Sequence, residues 1–356
     1  MQGQAQRILP PSQFIASADA AERTDASPQP PVLWKGMLLA AIIAIVATGL
    51  GKWFPMVGGP VFAILIGVCW RNTVGISPSM VSGIGFTSKK LLQWSIIGLG
   101  FGLSFTQVVQ TGIESLWVTL ITIAVAFMVA YFLGRALNIG RNMRTLIGAG
   151  TAICGGSAIA AVAPIIKPQD HETALAISTI FLFNIVAVVV FPFMGHTLQM
   201  SDLGFGLWAG TAINDTSSVV AAAYSYSNEA GDYATIVKLT RAGMIIPLCI
   251  CLAFLQARLE SKAGNRINLA RIVPWFIVGF LLASAIRSSG VLPAIWLPHI
   301  QQIALFLMVM ALAAVGLTTD FKSIVKTGWK PLVLGLGVWV AVSLSSLAVQ
   351  YVGGNW

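Results

Sequence analysis

Long apolar runs follow one another along most of this chain. They fall into eleven segments, at 36–52, 57–70, 91–110, 113–134, 145–166, 173–194, 203–226, 232–256, 270–288, 299–317 and 331–352. Most approach the roughly 20 residues that a helix needs to cross a bilayer, and none shows the roughly ten-residue alternation of a membrane β-barrel. Only 9% of the residues are charged, against about 25% in soluble domains. The sequence therefore predicts an all-α polytopic membrane protein with about 11 membrane segments.

The first 32 residues differ from the rest of the chain. They are rich in Gln, Ala, Ser and Pro and contain no apolar run. Such a composition is typical of disorder, and it lacks the apolar core of a signal peptide. We expect a disordered cytoplasmic tail over 1–32 and one transmembrane domain over 33–356.

The basic residues indicate how the segments are oriented. If the tail is cytoplasmic and all eleven segments cross, sixteen Lys and Arg residues lie inside and three outside. Cytoplasmic loops of membrane proteins carry such an excess. The C-terminus is then external, and the net charge of +9 requires no nucleic-acid partner.

Two of the apolar segments contain the same five residues, Ala-Gly-Thr-Ala-Ile, at 149–153 and 209–213. Glycines or polar residues follow each copy, namely Gly155, Gly156 and Ser157 in the first and Asn214, Asp215, Thr216, Ser217 and Ser218 in the second. The glycines alone could serve close helix packing. A break in both helices would instead expose helix ends to which an anion could bind, and paired interrupted helices are typical of a transporter's binding site.

The path of these two segments stays open from sequence. If both cross the membrane they run parallel, whereas two re-entrant hairpins from opposite faces would place Lys167 inside and make the charge count seventeen to two. A weaker similarity joins residues 100–116 to 315–332 in opposite orientations. We therefore expect 91–134 and 299–352 to be inverted-repeat partners around core substrate helices at about 145–256.

A cationic pair lies inside the eighth segment. Lys238 and Arg241 are three residues apart and so share one helical face. A charge at that depth costs about 2.5 kcal/mol or more, and such residues usually mark a pathway. The pair could form a structural ion pair with Asp215, or an anion site in which Asp215 is the counter-ion or proton carrier. Asn184 and Asp320 are weaker candidates.

Three stretches together resemble a known family: "GTAICGGSAIAAVAPII", "GTAINDTSSVVAAAYSYS" and "IVKLTRAGMIIP". They are similar to the YeiH-type sulfate exporter family of bacterial inner-membrane transporters, over about residues 35–352. That family is grouped with the cation/proton antiporter and anion transporter superfamily. The resemblance implies inverted repeats, elevator-type transport, a scaffold-domain homodimer and a location in the bacterial inner membrane, with the C-terminus periplasmic.

We therefore expect a secondary active transporter, not an enzyme, for a small inorganic or organic anion such as sulfate, sulfite or an organosulfonate. The expected substrate-binding residues are Lys238, Arg241, Gly155, Gly156, Ser157, Asn214, Thr216, Ser217 and Ser218. Asp215 would couple transport to H⁺ or Na⁺, and no cofactor or metal is expected. Two alternatives remain, a monovalent cation/proton antiporter on the same fold and an anion channel.

Overall fold

A computed structural model describes residues 33–54, 57–260, 275–320 and 328–354. These residues form helices and connecting turns, with no strand in the described ranges. The predicted tail over 1–32 lies outside them. The prediction of an all-helical protein is confirmed for the described part of the chain.

Fifteen α-helices are described. The first eight are α1 (Leu33–Trp53), α2 (Gly58–Thr73), α3 (Pro78–Phe86), α4 (Leu92–Gly100), α5 (Phe105–Ala136), α6 (Arg141–Ala152), α7 (Gly156–Ile166) and α8 (Asp170–Thr197). The others are α9 (Asp202–Ala212), α10 (Thr216–Tyr226), α11 (Asn228–Gly243), α12 (Ile245–Glu260), α13 (Trp275–Ser288), α14 (Leu297–Thr318) and α15 (Trp329–Gly353). A π-helical turn, Thr87–Leu91, joins α3 to α4.

In the described part of the chain, six stretches are long and apolar enough to cross a bilayer: α1, α5, α8, α11 continuing into α12, α14 and α15. Their exposed faces carry large apolar side chains such as Ile45, Phe132 and Leu344. Lipid would cover such faces in a membrane. The protein is therefore a multi-pass helical membrane protein.

The third and fourth predicted segments meet at a different place from the one expected. The break lies at residues 101–104, before α5, and not at 111–112. Ser104 caps α5 because its hydroxyl accepts the Gln107 N–H, while the Gln107 side chain accepts the Ser104 N–H. This capping box fixes the helix start inside a stretch whose apolar composition does not reveal it.

One group of helices packs through close backbone contacts. α1, α2 and α14 share an apolar core that contains Ala44, Ile64 and Leu312. At the crossing of α2 and α14, a Cβ added to Gly67 would lie 2.4 Å from the Ala313 carbonyl oxygen. Only glycine permits this approach, and small residues at helix contacts are typical of membrane proteins.

Helices α6 and α7 form the first hairpin. Gly150 on α6 packs against Ile159 on α7, with a distance of 3.1 Å from an added Cβ to Ile159 Cδ1. At the open end, Gly140 before α6 lies near Glu172 at the start of α8. The segment at 145–166 therefore turns back and does not continue in one direction.

Helices α9 and α10 form the second hairpin. Phe205 near the start of α9 stacks on Tyr226 at the end of α10, with 4.0 Å between ring centroids. The Tyr226 hydroxyl donates to the Met200 carbonyl at 2.5 Å. The segment at 203–226 therefore also returns to the end at which it begins.

The long helix α8 connects the open ends of the two hairpins. Its first turn, with Glu172, adjoins the first hairpin, and near its end His196 stacks on Tyr226 of the second. The hairpins therefore extend from opposite ends of α8. Each hairpin helix has 11 or 12 residues, which is about 17 Å or roughly half the thickness of a bilayer core. Their tips can meet beside the middle of α8.

Candidate functional site

The two hairpin tips contact each other. A Cβ added to Gly155, in the first tip, would lie 3.6 Å from the Asp215 Cβ in the second. Asn184, midway along α8, accepts the Asp215 N–H through its Oδ1 at 3.2 Å. The structure therefore brings the predicted Gly155 and Asp215 breaks to one place, which we call the tip junction: residues 151–157 and 213–218, with Asn184, Lys238 and Arg241.

The first tip turns at a glycine. Gly155 has φ +65° and ψ −127°, a conformation that L-residues with a Cβ rarely adopt. It lets the chain reverse within three residues, between the end of α6 at Ala152 and the start of α7 at Gly156. Of the glycines in this stretch, Gly155 is thus the one that the turn requires.

The carbonyl ends of α6 and α9 bind the two buried cations. Lys238 Nζ donates to the Ile153 carbonyl at 2.6 Å and to the Ile213 carbonyl at 2.9 Å. The Arg241 guanidinium donates to the carbonyls of Ala152, Thr151 and Ile213 at 2.6, 2.5 and 3.4 Å. Both side chains are fully buried. They satisfy carbonyls that the helix breaks leave without an intrahelical partner.

No ion pair joins Asp215 to Lys238 or Arg241 within the described residues. The Asp215 carboxylate instead caps α10 by accepting the N–H of Ser217 at 3.0 Å and also the Ser217 hydroxyl. A structural ion pair between the two cations and Asp215 was one of the expected arrangements. The cations bind backbone carbonyls instead, and the Asp215 carboxylate bonds to its own helix.

The amino ends of α7 and α10 differ in their capping. Helix α10 has the Asp215 cap, whereas no side chain caps α7. In the first tip Gly156 is partly exposed and Ser157 is exposed. The predicted ligands of the second tip are buried, namely Asn214, Thr216, Ser217 and Ser218. Since helix N-termini carry about half a positive charge each, the accessible end of α7 can attract an anion.

Buried polar atoms without a protein partner concentrate at the tip junction. Seven such side-chain atoms occur among the described residues, and four of them belong to Thr151, Asn184 and Asn214. Asn214 is fully buried, and both its Oδ1 and its Nδ2 are unpartnered. Unsatisfied polar groups are costly in a low-dielectric interior. Their concentration at this place forms a polar pocket that suits a polar ligand or ordered water.

The sequence predicts Asn214 and, more weakly, Asn184 as site residues, but not Thr151. The repeat could have pointed to Thr151, because a threonine, Thr211, also has the third position in the second copy. The two differ in their contacts: the Thr211 hydroxyl bonds to Ser346, whereas the Thr151 hydroxyl has no partner. Asp320, the other weak candidate, forms an ion pair with Arg71 at 3.7 Å and contributes nothing to the tip junction in the contacts described.

Comparison with known sequences identifies the relatives of this chain. Residues 35–335 match the family described as Conserved hypothetical protein 698. The chain belongs to this family. It is 42% identical to a UPF0324 membrane protein of Clostridium tetani over 330 residues, covering 88% of this chain and 96% of the relative. The resemblance to the YeiH-type family is thereby confirmed at the level of family.

Relatives from other bacteria match at similar levels. A UPF0324 membrane protein of Streptococcus pyogenes serotype M18 is 44% identical over 331 residues, covering 90% of this chain and 97% of the relative. One from Fusobacterium nucleatum is 42% identical over 339 residues, covering 90% and 98%. The matched region includes both hairpins and the cationic helix α11. The family is thus one of membrane proteins, as the helices of this chain indicate.

Proposed function

We propose that this protein is a secondary active transporter of a small anion, working by alternating access with the tip junction as its substrate site. The observation that carries the proposal is the concentration of unpartnered buried polar atoms where two half-membrane hairpins meet. Discontinuous helices that meet near the midplane are the usual site of substrate binding in transporters. A channel would need no such junction, and no catalytic role is proposed.

The charge balance at the tip junction favours an anion. Lys238 and Arg241 contribute two positive charges and Asp215 one negative charge. The two helix N-termini and two helix C-termini contribute about half a charge each, of opposite sign, and so nearly cancel. The junction is therefore net positive by about one charge. A monoanion would neutralise this excess at a site where water is scarce. A dianion would do so with Asp215 protonated, since the excess is then about two charges.

The direct ligands we propose are the donors that remain free. These are the side-chain amides of Asn214 and Asn184, the amide groups at Gly156 and Ser157, and the hydroxyls of Thr151, Thr216 and Ser218. The Ser217 hydroxyl, also predicted as a ligand, donates to Asp215 instead. Lys238 and Arg241, which bind the carbonyl ends of α6 and α9, supply positive charge without contacting the anion. Sulfate, sulfite and organosulfonates suit a site of many hydrogen-bond donors, since each carries three or four acceptor oxygens.

The two hairpins extend from opposite ends of α8, which supports alternating access by movement of the hairpin helices against α1, α2 and α14.

We propose eleven membrane segments, of which nine cross and two re-enter, with a cytoplasmic N-terminus and a periplasmic C-terminus in the bacterial inner membrane. This arrangement places Lys167 inside and gives the seventeen-to-two charge count. Asp215 is the proposed proton carrier, and a homodimer the proposed assembly.

The test is ligand-dependent thermal stability of the purified full-length protein. Sulfate, sulfite, thiosulfate, taurine, sulfoacetate and chloride would be compared as salts of one cation at matched ionic strength. A ligand that binds only the native state raises the melting temperature, by an amount that grows with the logarithm of its concentration above Kd. We expect such a concentration-dependent rise with one sulfur oxyanion and none with chloride, followed by counterflow of that anion in proteoliposomes. Equal responses to all the salts would contradict an anion site.

The cation/proton antiporter is the second candidate, because Asp215 is a partly exposed carboxylate at the junction. Stabilisation by Na⁺ or K⁺ with no response to any anion would favour it. The hydrogen bonds from Lys238 and Arg241 argue against it, since they occupy the carbonyls that a cation would use.

A further inference from the structure

The carbonyl oxygens at the ends of α6 and α9 form a group with the composition of a cation site. Ile153 and Ile213 close the two copies of Ala-Gly-Thr-Ala-Ile, and one ammonium group binds both of their carbonyls. Ala152 and Thr151 add two further carbonyls, which bind Arg241. In transporters with discontinuous helices, carbonyls at such helix ends coordinate the coupling Na⁺ or H⁺.

The physical reason for a cation at this place is the helix dipole. Each half-helix that ends inside the protein presents about half a negative charge on carbonyls that have no intrahelical partner. Two such ends face each other here, through Ile153 and Ile213. Without a cation between them they would repel each other, and the polar groups would be buried without compensation.

We propose that Lys238 and Arg241 are tethered substitutes for a coupling cation, so that the tip junction is loaded permanently and transport requires neither Na⁺ nor K⁺. This inference rests on the proposed transport function. It leaves two driving forces for transport, a proton gradient or exchange for another anion. The Lys238 ammonium has the place of a monovalent cation between the two tips. Arg241 binds the two preceding carbonyls of the same helix end, those of Ala152 and Thr151.

The experiment is cation rescue in paired variants, read by the apparent melting temperature of the purified full-length protein without added anion substrate. Lys238→Ala empties the ammonium position, and Lys238→Met fills most of it with an uncharged chain. Each would be measured in chloride salts of Na⁺, K⁺, methylammonium and choline at matched ionic strength. Lys52→Ala is the control, since Lys52 is an exposed cation at the end of α1.

We expect wild type and Lys52→Ala to melt at one temperature in all four salts. Lys238→Ala should melt lower in choline and recover toward wild type as the concentration of methylammonium or Na⁺ rises. Lys238→Met should melt lower and show no recovery, because the thioether blocks the site. If Lys238→Ala is recovered from cells only when methylammonium is present during purification, that also supports the proposal.

Three results would overturn the inference. The first is stabilisation of wild type by Na⁺ relative to choline. The second is a Lys238→Ala protein as stable as wild type in choline. The third is loss of this variant without recovery by any of the cations. Because no substrate anion is present, the outcome is independent of the anion panel: rescue without anion binding would remove the transport proposal and leave the cation site in place.

Discussion

Ile153 and Ile213 have the same place in two copies of one pentapeptide, and their carbonyl oxygens accept hydrogen bonds from a single ammonium group, that of Lys238, at 2.6 and 2.9 Å. The repeat in the sequence is therefore also a repeat in space, with Lys238 between the two copies. The contact joins the tips of two hairpins that extend from opposite ends of α8. Movement of one tip relative to the other would break it, so we expect the two tips to move as a unit.

Asn214→Leu should separate ligand binding from stability. The Asn214 amide is buried without a partner, and replacing such a group by an apolar one of similar shape is close to neutral or stabilising. We expect the ligand-free melting temperature to stay the same or rise, and the stabilisation by anion to disappear. Thr119→Val is the matched control, because Thr119 on α5 also buries an unpartnered hydroxyl. Unchanged anion stabilisation in Asn214→Leu would remove this residue from the site.

Asn184→Leu should lower stability, in contrast to the Asn214 variant. Its Oδ1 accepts the Asp215 N–H, and losing the acceptor leaves a buried donor unpaired at a cost of about 1–3 kcal/mol. We expect a lower melting temperature in the absence of ligand and weaker anion stabilisation. Circular dichroism melts of this variant beside Asn214→Leu would measure the difference. Equal melting temperatures for the two variants would contradict the contact between α8 and the second tip.

Gly155→Ala and Gly156→Ala should differ strongly although the residues are adjacent. At Gly155 the positive φ makes any Cβ strained, at a cost of about 1–3 kcal/mol. At Gly156 an added Cβ meets only Phe181, at 3.9 Å. We expect Gly155→Ala to lose transport and melting temperature and Gly156→Ala to fold as wild type, measured by counterflow and thermal unfolding. Tolerance of alanine at Gly155 would show that the turn is not required.

Arg241→Lys should not preserve the function of Arg241. The guanidinium reaches three carbonyls at once, and an ammonium lacks this planar arrangement of donors. Leaving carbonyls at the end of α6 unpaired should lower the unfolding free energy by about 2 kcal/mol or more. Arg141→Ala, at the exposed start of α6, is the control and should have little effect. Wild-type stability in Arg241→Lys would mean that charge alone matters at this position.

Composition and periodicity could predict the helical class, and the repeated pentapeptide could locate both breaks. The direction of the chain after each break could not be predicted, because a hairpin of two 11-residue helices has the same apolar composition as one crossing helix. For the first hairpin, the contact between Gly140 and Glu172 shows that the chain turns back after the break. The partners of Lys238 and Arg241 were also not predictable, since backbone carbonyls leave no trace in side-chain sequence, and Asp215 was the evident candidate.

Cysteine labelling from the two sides of the membrane can test the hairpin arrangement directly. Lys167, after the first hairpin, and Glu229, after the second, are both exposed. If both segments crossed the membrane, these two positions would lie on the same side. If both re-enter, Lys167 is cytoplasmic and Glu229 is periplasmic.

The experiment uses single cysteines at these two positions in a background that lacks the native thiols, Cys69, Cys154, Cys249 and Cys251. A membrane-impermeant maleimide is applied to intact spheroplasts and to inverted vesicles. We expect Glu229→Cys to react in spheroplasts and Lys167→Cys to react in inverted vesicles, since the excess of basic residues places Lys167 inside. Labelling of both cysteines in the same preparation would contradict opposed hairpins, and with them the midplane junction on which the transport proposal depends.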